Sequence, residues 1–298
     1  MTIAQAIKFA TTKLIVNKFH NPYFEAEILL SFVLKKPREF LLAYGEKKLT
    51  KSQIANFKLQ IAKRLKNSPI AYITGKKNFY GLNFFVNKNT LIPRPETELI
   101  VEEVFKLIRH NVQKSIIVDV GVGSGCIIIA LAKLLNTKYK IQNTKFIGID
   151  ISAKALDIAK QNAETHHVNK KIKFILGNLI EPIINNPKYK RQNTKYIIIA
   201  NLPYLTSTQI KNSPTIQSEP FLALYGGKDG LKYYCQLFKQ LKQLNRSSTE
   251  NYALCEIDPG QTNRIKQLVR HELPQAKLQI KKDLSGLNRL AVIFLRNY

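Results

Sequence analysis

Alternation between apolar strands and amphipathic helices constrains the fold of this chain more than any other feature of its sequence. From about residue 96 onward, β-branched runs such as Ile197-Ile198-Ile199 recur between segments whose apolar residues have helical spacing. Strands that are joined through helices pair in parallel, and the helices then cover both faces of the sheet. We therefore predict an α/β fold with seven strands in one mostly parallel sheet. The predicted strands are 115–120, 145–150, 171–176, 195–200, 252–257, 277–281 and 289–295, and the predicted helices are 96–110, 124–135, 153–166, 230–244 and 260–271.

Three further patterns complete the predicted architecture. The last two strands, 277–281 and 289–295, have no helix between them and predict an antiparallel hairpin that closes the sheet. Residues 1–73 contain only helical patterns and predict a small helical bundle as a separate domain. Residues 74–95 carry aromatic residues around a central glycine and predict a β-hairpin linker. The α/β domain then spans 96–298.

Composition narrows the class of protein. Lys plus Arg number 47 against 20 Asp plus Glu, so the net charge is +27, which favours acidic or polyanionic partners. The same excess is typical of chains rich in Lys, Asn and Ile together, in which surface lysines accumulate without a function. Whether the charge is functional or compositional therefore stays open. The longest apolar run, 126–132, is far too short to span a membrane, and three cysteines without metal-type spacing indicate a reduced compartment. We expect a cytoplasmic protein with no membrane association and no bound metal.

The first chemical motif follows the first predicted strand. Gly121, Gly123 and Gly125 allow a tight turn and a close approach of the backbone to a ligand. The third glycine of a dinucleotide fingerprint would fall at Cys126, so the spacing suits a nucleoside ligand without a pyrophosphate. Asp150 ends the second strand, where a carboxylate accepts ribose hydroxyls, although a helix cap is the alternative. Together these elements resemble class I S-adenosylmethionine-dependent methyltransferases, whose Rossmann-like sheet ends in an antiparallel hairpin.

The second motif is Asn201-Leu202-Pro203-Tyr204, which follows the buried strand 195–200. Such a tetrapeptide can be an ordinary turn. It also resembles the Asn-Pro-Pro-Tyr motif of methyltransferases that act on amide-like nitrogens. In that reading the Asn201 side-chain oxygen and the Leu202 carbonyl accept the two N–H bonds of the substrate, and Tyr204 covers the planar group. Direct methyl transfer then depends on placement and requires no metal or covalent intermediate.

Three more stretches indicate the family. Residues 91–98 place Arg94 between two prolines, which predicts a stiff, exposed segment that is not helical before Glu96 and serves either as a linker or as a rigid lid. This stretch, together with 219–231 and 283–289, resembles the HemK/PrmC family. Members of that family methylate N5 of the glutamine in the Gly-Gly-Gln loop of class 1 peptide chain release factors.

The resemblance implies a role for each motif. The helical domain would grip the release factor, S-adenosylmethionine would be the cofactor, and nucleic acid would not be required. We expect a monomer. The catalytic residues implied are Asn201, Leu202, Pro203 and Tyr204, and the implied cofactor-binding residues are Gly121, Val122, Gly123, Ser124, Gly125, Asp150, Asn178, Leu179, Asn201, Arg94 and Thr97.

The chain departs from the family pattern at three positions. Leu202 replaces a proline, and the resulting Asn-Leu-Pro-Tyr is also carried by ribosomal RNA adenine dimethyltransferases. Asn178 stands where Asp is usual, which weakens the expected contact with the adenine amino group. Ser218 stands where an aromatic residue is common.

The tetrapeptide and the net charge of +27 make an adenine-N6 methyltransferase of RNA or DNA an alternative, although no target-recognition domain is recognisable. A third hypothesis is a basic, non-catalytic scaffold that binds the ribosome or a release factor.

Overall fold

The computed structural model describes residues 1–109, 115–137, 144–189, 194–244 and 251–295. Within these ranges the chain forms two compact units. The first comprises Met1–Lys76 with Pro214–Ser218, and the second comprises Lys77–Ser213 with Glu219–Tyr298. His110, which ends the predicted helix 96–110, lies outside the described residues. The domain and linker boundaries 1–73, 74–95 and 96–298 stay a prediction.

The first unit is helical, as expected. Its core is built by the apolar faces of its helices, with Phe57, Leu29 and Leu30 fully buried. A partly buried ion pair adds to this packing, because Arg64 Nε donates to Glu25 Oε2 at 2.7 Å. The helices of this unit are α1 (Ile3–Val16), α2 (Pro22–Leu34), α3 (Arg38–Ala43), α4 (Lys51–Leu65) and α5 (Ile70–Thr74).

The second unit contains the predicted seven-stranded sheet. Its strand order is β5-β4-β3-β6-β7-β9-β8, with β3 to β7 parallel and with β9 antiparallel to both β7 and β8. The predicted fold class, including the closing antiparallel hairpin, is confirmed. A separate two-stranded hairpin, β1–β2, precedes the sheet. The strands are β1 (Lys76–Phe79), β2 (Leu82–Phe85), β3 (Ser115–Val120), β4 (Thr144–Asp150), β5 (Ile172–Leu176), β6 (Lys195–Ala200), β7 (Asn251–Glu256), β8 (Lys277–Lys282) and β9 (Asn288–Leu295).

Helices cover both faces of the sheet. Alternate residues of the central strands face opposite sides, so Ile198 packs in one apolar cluster with Tyr234 of α12, and Ile197 packs in the other with Ile128 of α7. Three of the helices, α9, α10 and α11, were not predicted. The helices of this unit are α6 (Glu98–Arg109), α7 (Cys126–Thr137), α8 (Ala153–Thr165), α9 (Glu181–Ile184), α10 (Ser207–Lys211), α11 (Phe221–Leu224), α12 (Lys232–Leu244) and α13 (Thr262–Glu272).

The register of the strands places the carboxyl ends of β3, β4 and β6 at one edge of the sheet. Val120 of β3 pairs with Ile149 of β4 and with Ala200 of β6, so the residues that follow these strands emerge side by side. This edge is where open α/β sheets bind ligands. In the described part of the chain, no helix combines the length and the apolar content that crossing a membrane requires.

Candidate functional site

A cavity of about 460 Å³ lies at the carboxyl ends of β3, β4, β5 and β6. Its volume is in the range of sites for nucleoside-sized ligands. Two of the predicted site residues, Gly125 and Tyr204, do not line it. The predicted site residues that do line it are Arg94, Thr97, Gly121, Val122, Gly123, Ser124, Asp150, Asn178, Leu179, Asn201, Leu202 and Pro203.

The glycine turn forms one wall of the cavity. Gly121 has a φ of +73°, in the left-handed region, and its backbone N–H donates to the Ile149 carbonyl at 2.8 Å. Gly125 has a different role, because a Cβ there would lie 2.8 Å from Ile129 Cδ1 and 3.2 Å from the Ala159 Cβ. The absence of a side chain at Gly125 therefore permits helix packing behind the turn.

Asp150 is held in place by backbone amides. Its Oδ2 accepts from the Gly123 N–H at 2.9 Å and its Oδ1 accepts from the Ser152 N–H at 2.9 Å. Burial raises the pKa of Asp150, and these hydrogen bonds offset part of that effect. Ser152, not Asp150, caps α8, since its side chain accepts from the Ala155 N–H at 3.2 Å. Asp150 thus presents a fixed carboxylate to the cavity.

The side chain of Asn201 is held by residues from distant parts of the sequence. Asn201 Nδ2 donates to Thr97 Oγ1 at 3.2 Å, and Thr97 Oγ1 donates to Glu256 Oε2 at 2.6 Å. The Tyr204 hydroxyl donates to Glu256 Oε1 at 3.1 Å. Glu256 ends β7 and is buried; burial raises the pKa of its carboxyl group, whereas these hydrogen bonds and the charge of Arg289 lower it in part.

The guanidinium of Arg289 is oriented by the turn between β8 and β9. Arg289 Nε donates to Asp283 Oδ2 at 3.1 Å, while Asp283 Oδ1 accepts from the N–H groups of Ser285 and Leu287, each at 3.0 Å. The turn therefore fixes a positive charge that favours the ionised form of Glu256.

Glycines of the segment 223–231 let it pack directly against the backbone of the tetrapeptide. A Cβ at Gly226 would lie 2.4 Å from the Pro203 carbonyl oxygen, and one at Gly230 would lie 2.2 Å from the Tyr204 carbonyl oxygen. Gln261 Nε2 donates to that same Tyr204 oxygen at 2.8 Å. This segment therefore supports the tetrapeptide from behind.

The proline-arginine stretch is only partly exposed, at Pro95 and Glu96, and not along its whole length as predicted. Ile92 and Pro93 are buried, and the Ile92 N–H donates to Glu219 Oε2 at 2.9 Å. Arg94 forms an ion pair with the other carboxylate oxygen of Glu219. The stretch also turns helical earlier than predicted, with a 3₁₀ turn over Pro95–Thr97. Ion pairing to Glu219 thus secures the wall that carries Arg94 and Thr97, and it holds Arg94 in a fixed place. The choice between a linker and a rigid lid stays a prediction.

Asp119 is a buried carboxylate that no motif explained. It precedes the glycine turn on β3, is 1% exposed, and neither of its carboxylate oxygens makes a well-formed hydrogen bond with a described residue. Burial raises the pKa of Asp119 to about 7; the backbone amide of Ile128 offsets this in part, and the charge of Asp150 adds to it.

Sequence reasoning assigned no role to Glu256, Gln261 or Glu219, although Glu219 begins one of the stretches that carry the family resemblance. Glu256 had a recognisable signal, because it lies near the carboxyl end of the predicted strand 252–257, on the same edge of the sheet as Asp150. Gln261 and Glu219 act through contacts between segments that are far apart in sequence, and no local pattern indicates such contacts.

Two family models match the chain. Residues 5–75 match the model described as the PrmC N-terminal domain, and residues 111–270 match one described as a methyltransferase domain. The release factor glutamine methyltransferase of Dictyoglomus turgidum is 34% identical over 270 residues, covering 90% of this chain and 89% of that protein. That of Bacillus subtilis is 32% identical over 294 residues, covering 97% and 96%. The bifunctional methyltransferase of Rickettsia conorii is 32% identical, and the match covers 97% of this chain but 57% of that protein.

Solved structures share the fold. The hMettl16 catalytic domain in complex with MAT2A 3′UTR hairpin 1 superimposes with a TM-score of 0.55 at 14% identity, covering 90% of this chain and 91% of that one. The same domain in complex with hairpin 6 has a TM-score of 0.53 at 16% identity, covering 80% and 82%. At these identities the likeness shows a common methyltransferase-type fold alone.

Proposed function

Because the chain belongs to the family of release factor glutamine methyltransferases, we propose that its cavity binds S-adenosylmethionine and that Asn201 and Leu202 present the substrate glutamine to it. The enzyme is a protein-glutamine methyltransferase that modifies N5 of the glutamine in the Gly-Gly-Gln loop of class 1 release factors. One observation carries the site assignment: Asn201 and Leu202 line the same cavity as the glycine turn and Asp150.

The residues of the cavity fit a nucleoside cofactor. The glycine turn keeps side chains off one wall, and the amide-held Asp150 carboxylate can accept ribose hydroxyls. Asn178 Nδ2 donates to Glu181 Oε1 at 2.8 Å, which leaves its Oδ1 to accept from the adenine amino group. The Asn178 departure therefore preserves an acceptor at this position. When bound, S-adenosylmethionine supplies an electrophilic methyl group on its sulfonium.

The chain's own residues compensate for a weak nucleophile. A glutamine side-chain nitrogen reacts poorly because its lone pair is delocalised into the carbonyl group. Acceptance of its two N–H bonds by Asn201 Oδ1 and the Leu202 carbonyl oxygen orients the nitrogen and raises its electron density. The Leu202 oxygen is available for this role, since the Tyr234 hydroxyl donates to the Glu256 carbonyl and lies 3.5 Å away from the Leu202 oxygen.

The position of Tyr204 indicates a structural role for its hydroxyl. In this structure the hydroxyl donates a hydrogen bond to Glu256, and the partly buried side chain packs against the apolar cluster that contains Ile198 and Tyr234. We assign Tyr204 to holding the tetrapeptide in place. We assign binding of the release factor body to the helical unit, because residues 5–75 match the PrmC N-terminal domain.

Substitution of Asn201 tests the site assignment. We expect Asn201→Ala to lower the rate of methyl transfer to a class 1 release factor by about 10²- to 10³-fold, the usual cost of one hydrogen-bonding group that acts in the transition state. Cofactor affinity, measured by calorimetry, should change much less. Asn212→Ala, at an exposed helix end, is the matched control. Full activity of Asn201→Ala would refute the assignment.

A further inference from the structure

The buried carboxylate of Glu256 has no place in the proposed chemistry, since it does not line the cavity. It is 1% exposed and lies two hydrogen bonds away from Asn201. A buried carboxylate is costly unless it is well bonded, and here each of its oxygens accepts one hydroxyl proton. Its position suggests a function that goes beyond packing.

The direction of the hydrogen bonds is determined by the chemistry of the groups. The hydroxyls of Thr97 and Tyr204 both donate to Glu256, one to each oxygen, and the charge of Arg289 favours its ionised form, which is only an acceptor; a threonine hydroxyl has a single proton. Because Thr97 donates that proton to Glu256 at 2.6 Å, its oxygen can only accept from Asn201. Asn201 must therefore turn its NH₂ group toward Thr97, at 3.2 Å, and its carbonyl oxygen away from it.

We propose that Glu256 is a positioning residue that sets the polarity of the Asn201 amide through Thr97, so that Asn201 meets the substrate with its oxygen and not with its nitrogen. The proposal rests on the function proposed above. The two orientations of an asparagine amide have nearly the same shape, so packing alone does not select between them. The wrong orientation would place two N–H donors against the two N–H donors of the glutamine.

Glu256, Thr97 and Asn201 form a relay of two hydrogen bonds. The isosteric variant Glu256→Gln reverses the direction of both bonds without removing either. Tyr204 still donates to the remaining side-chain oxygen at position 256, so the new NH₂ group faces Thr97. Thr97 then accepts from position 256 and donates to Asn201, whose oxygen turns away from the substrate. We expect methyl transfer to fall about 100-fold in kcat, with the dissociation constant of S-adenosylmethionine unchanged within threefold.

Variants of Thr97 distinguish a relay from a purely structural contact. Thr97→Ser keeps the hydroxyl and should retain activity within a few-fold, whereas Thr97→Val removes it and should match the loss of Glu256→Gln. Glu272→Gln is the matched control, because Glu272 is also buried but pairs with Lys242, and neither of these residues lines the cavity. Its activity should equal that of the unsubstituted enzyme.

In a double variant the effect of Glu256→Gln on activity should change sign, which a purely structural role of Glu256 would not produce. In Asn201→Asp, a carboxylate oxygen faces the lone pairs of the Thr97 hydroxyl, because the proton of that hydroxyl is donated to Glu256. Adding Glu256→Gln frees the Thr97 proton to bond that carboxylate. We therefore expect the double variant to be at least tenfold more active than Asn201→Asp alone, although Glu256→Gln is harmful by itself.

The experiment measures kcat for methyl transfer to a purified class 1 release factor, with cofactor affinity and circular dichroism as checks on the fold. If Glu256→Gln stays within threefold of the unsubstituted enzyme, or if it fails to raise the activity of Asn201→Asp, the relay is refuted. If the unsubstituted enzyme does not label the glutamine, the proposed function fails instead, so the two failures are distinguishable.

Discussion

Replacement of Asp119 by asparagine should make the protein more stable at high pH. Asp119 is buried, and burial raises the pKa of its carboxyl group from 3.8 to about 7. In the unfolded chain this group ionises near pH 4, whereas in the folded chain it keeps its proton until about pH 7. The folded state therefore binds more protons over this interval, and the free energy of unfolding falls as the pH rises.

The magnitude follows from the two pKa values. Each pH unit between the two pKa values lowers the free energy of unfolding by about 1.4 kcal/mol. The contribution of Asp119 to that free energy therefore falls by about 3 kcal/mol between pH 5 and pH 8 and is constant above pH 8. Asparagine has nearly the same shape and does not titrate. The difference in unfolding free energy, Asp119→Asn minus the unsubstituted protein, should become about 3 kcal/mol more positive from pH 5 to pH 8.

Urea unfolding of both proteins at pH 5, 6, 7 and 8, without cofactor, measures this difference. Subtraction removes the contribution of Glu256, whose pKa burial also raises, whereas the repulsion between Asp119 and Asp150 is part of the raised pKa of Asp119 and therefore part of the measured difference. A difference that does not change with pH would refute the reasoning, and so would one that moves in the opposite direction.

Two other perturbations test the packing and the cofactor site. Gly230→Ala should destabilise the protein by about 2–4 kcal/mol, because the left-handed φ of +75° and the 2.2 Å approach of the Tyr204 oxygen both oppose a Cβ. Gly286→Ala, with φ +77° and open space around it, should cost only about 1 kcal/mol in the same unfolding assay; equal losses would contradict the packing argument. Glu181→Ala frees the Asn178 amide to rotate and should weaken S-adenosylmethionine binding about fivefold by calorimetry, and unchanged affinity would show that Glu181 does not orient Asn178 for the cofactor.

The sheet could be predicted from sequence because its signals are local. Each central strand is a β-branched run, and the joining helices are long enough to show helical spacing. Asp150 and Asn201 were predicted as site residues for the same reason, since each lies at or directly after the end of such a run. The unpredicted helices α9, α10 and α11 have only four or five residues, which is too short to show a period.

The parts that were missed depend on contacts across the fold. Thr97 and Glu256 are 159 residues apart, and no spacing rule connects them. The prolines around Arg94 indicated a stiff backbone correctly, but stiffness does not determine exposure. Burial of that stretch is explained by Glu219, whose carboxylate receives both the Ile92 amide and the Arg94 guanidinium.

The proposed substrate of the enzyme is the glutamine of a release factor. The most direct test supplies labelled S-adenosylmethionine to the purified enzyme with a class 1 release factor, with the variant of that factor in which the Gly-Gly-Gln glutamine is alanine, and with ribosomal RNA. We predict one methyl group on the side-chain nitrogen of that glutamine, located by peptide mass spectrometry, and no label on the other two. Label on the RNA, or label that persists on the alanine variant, would contradict the account.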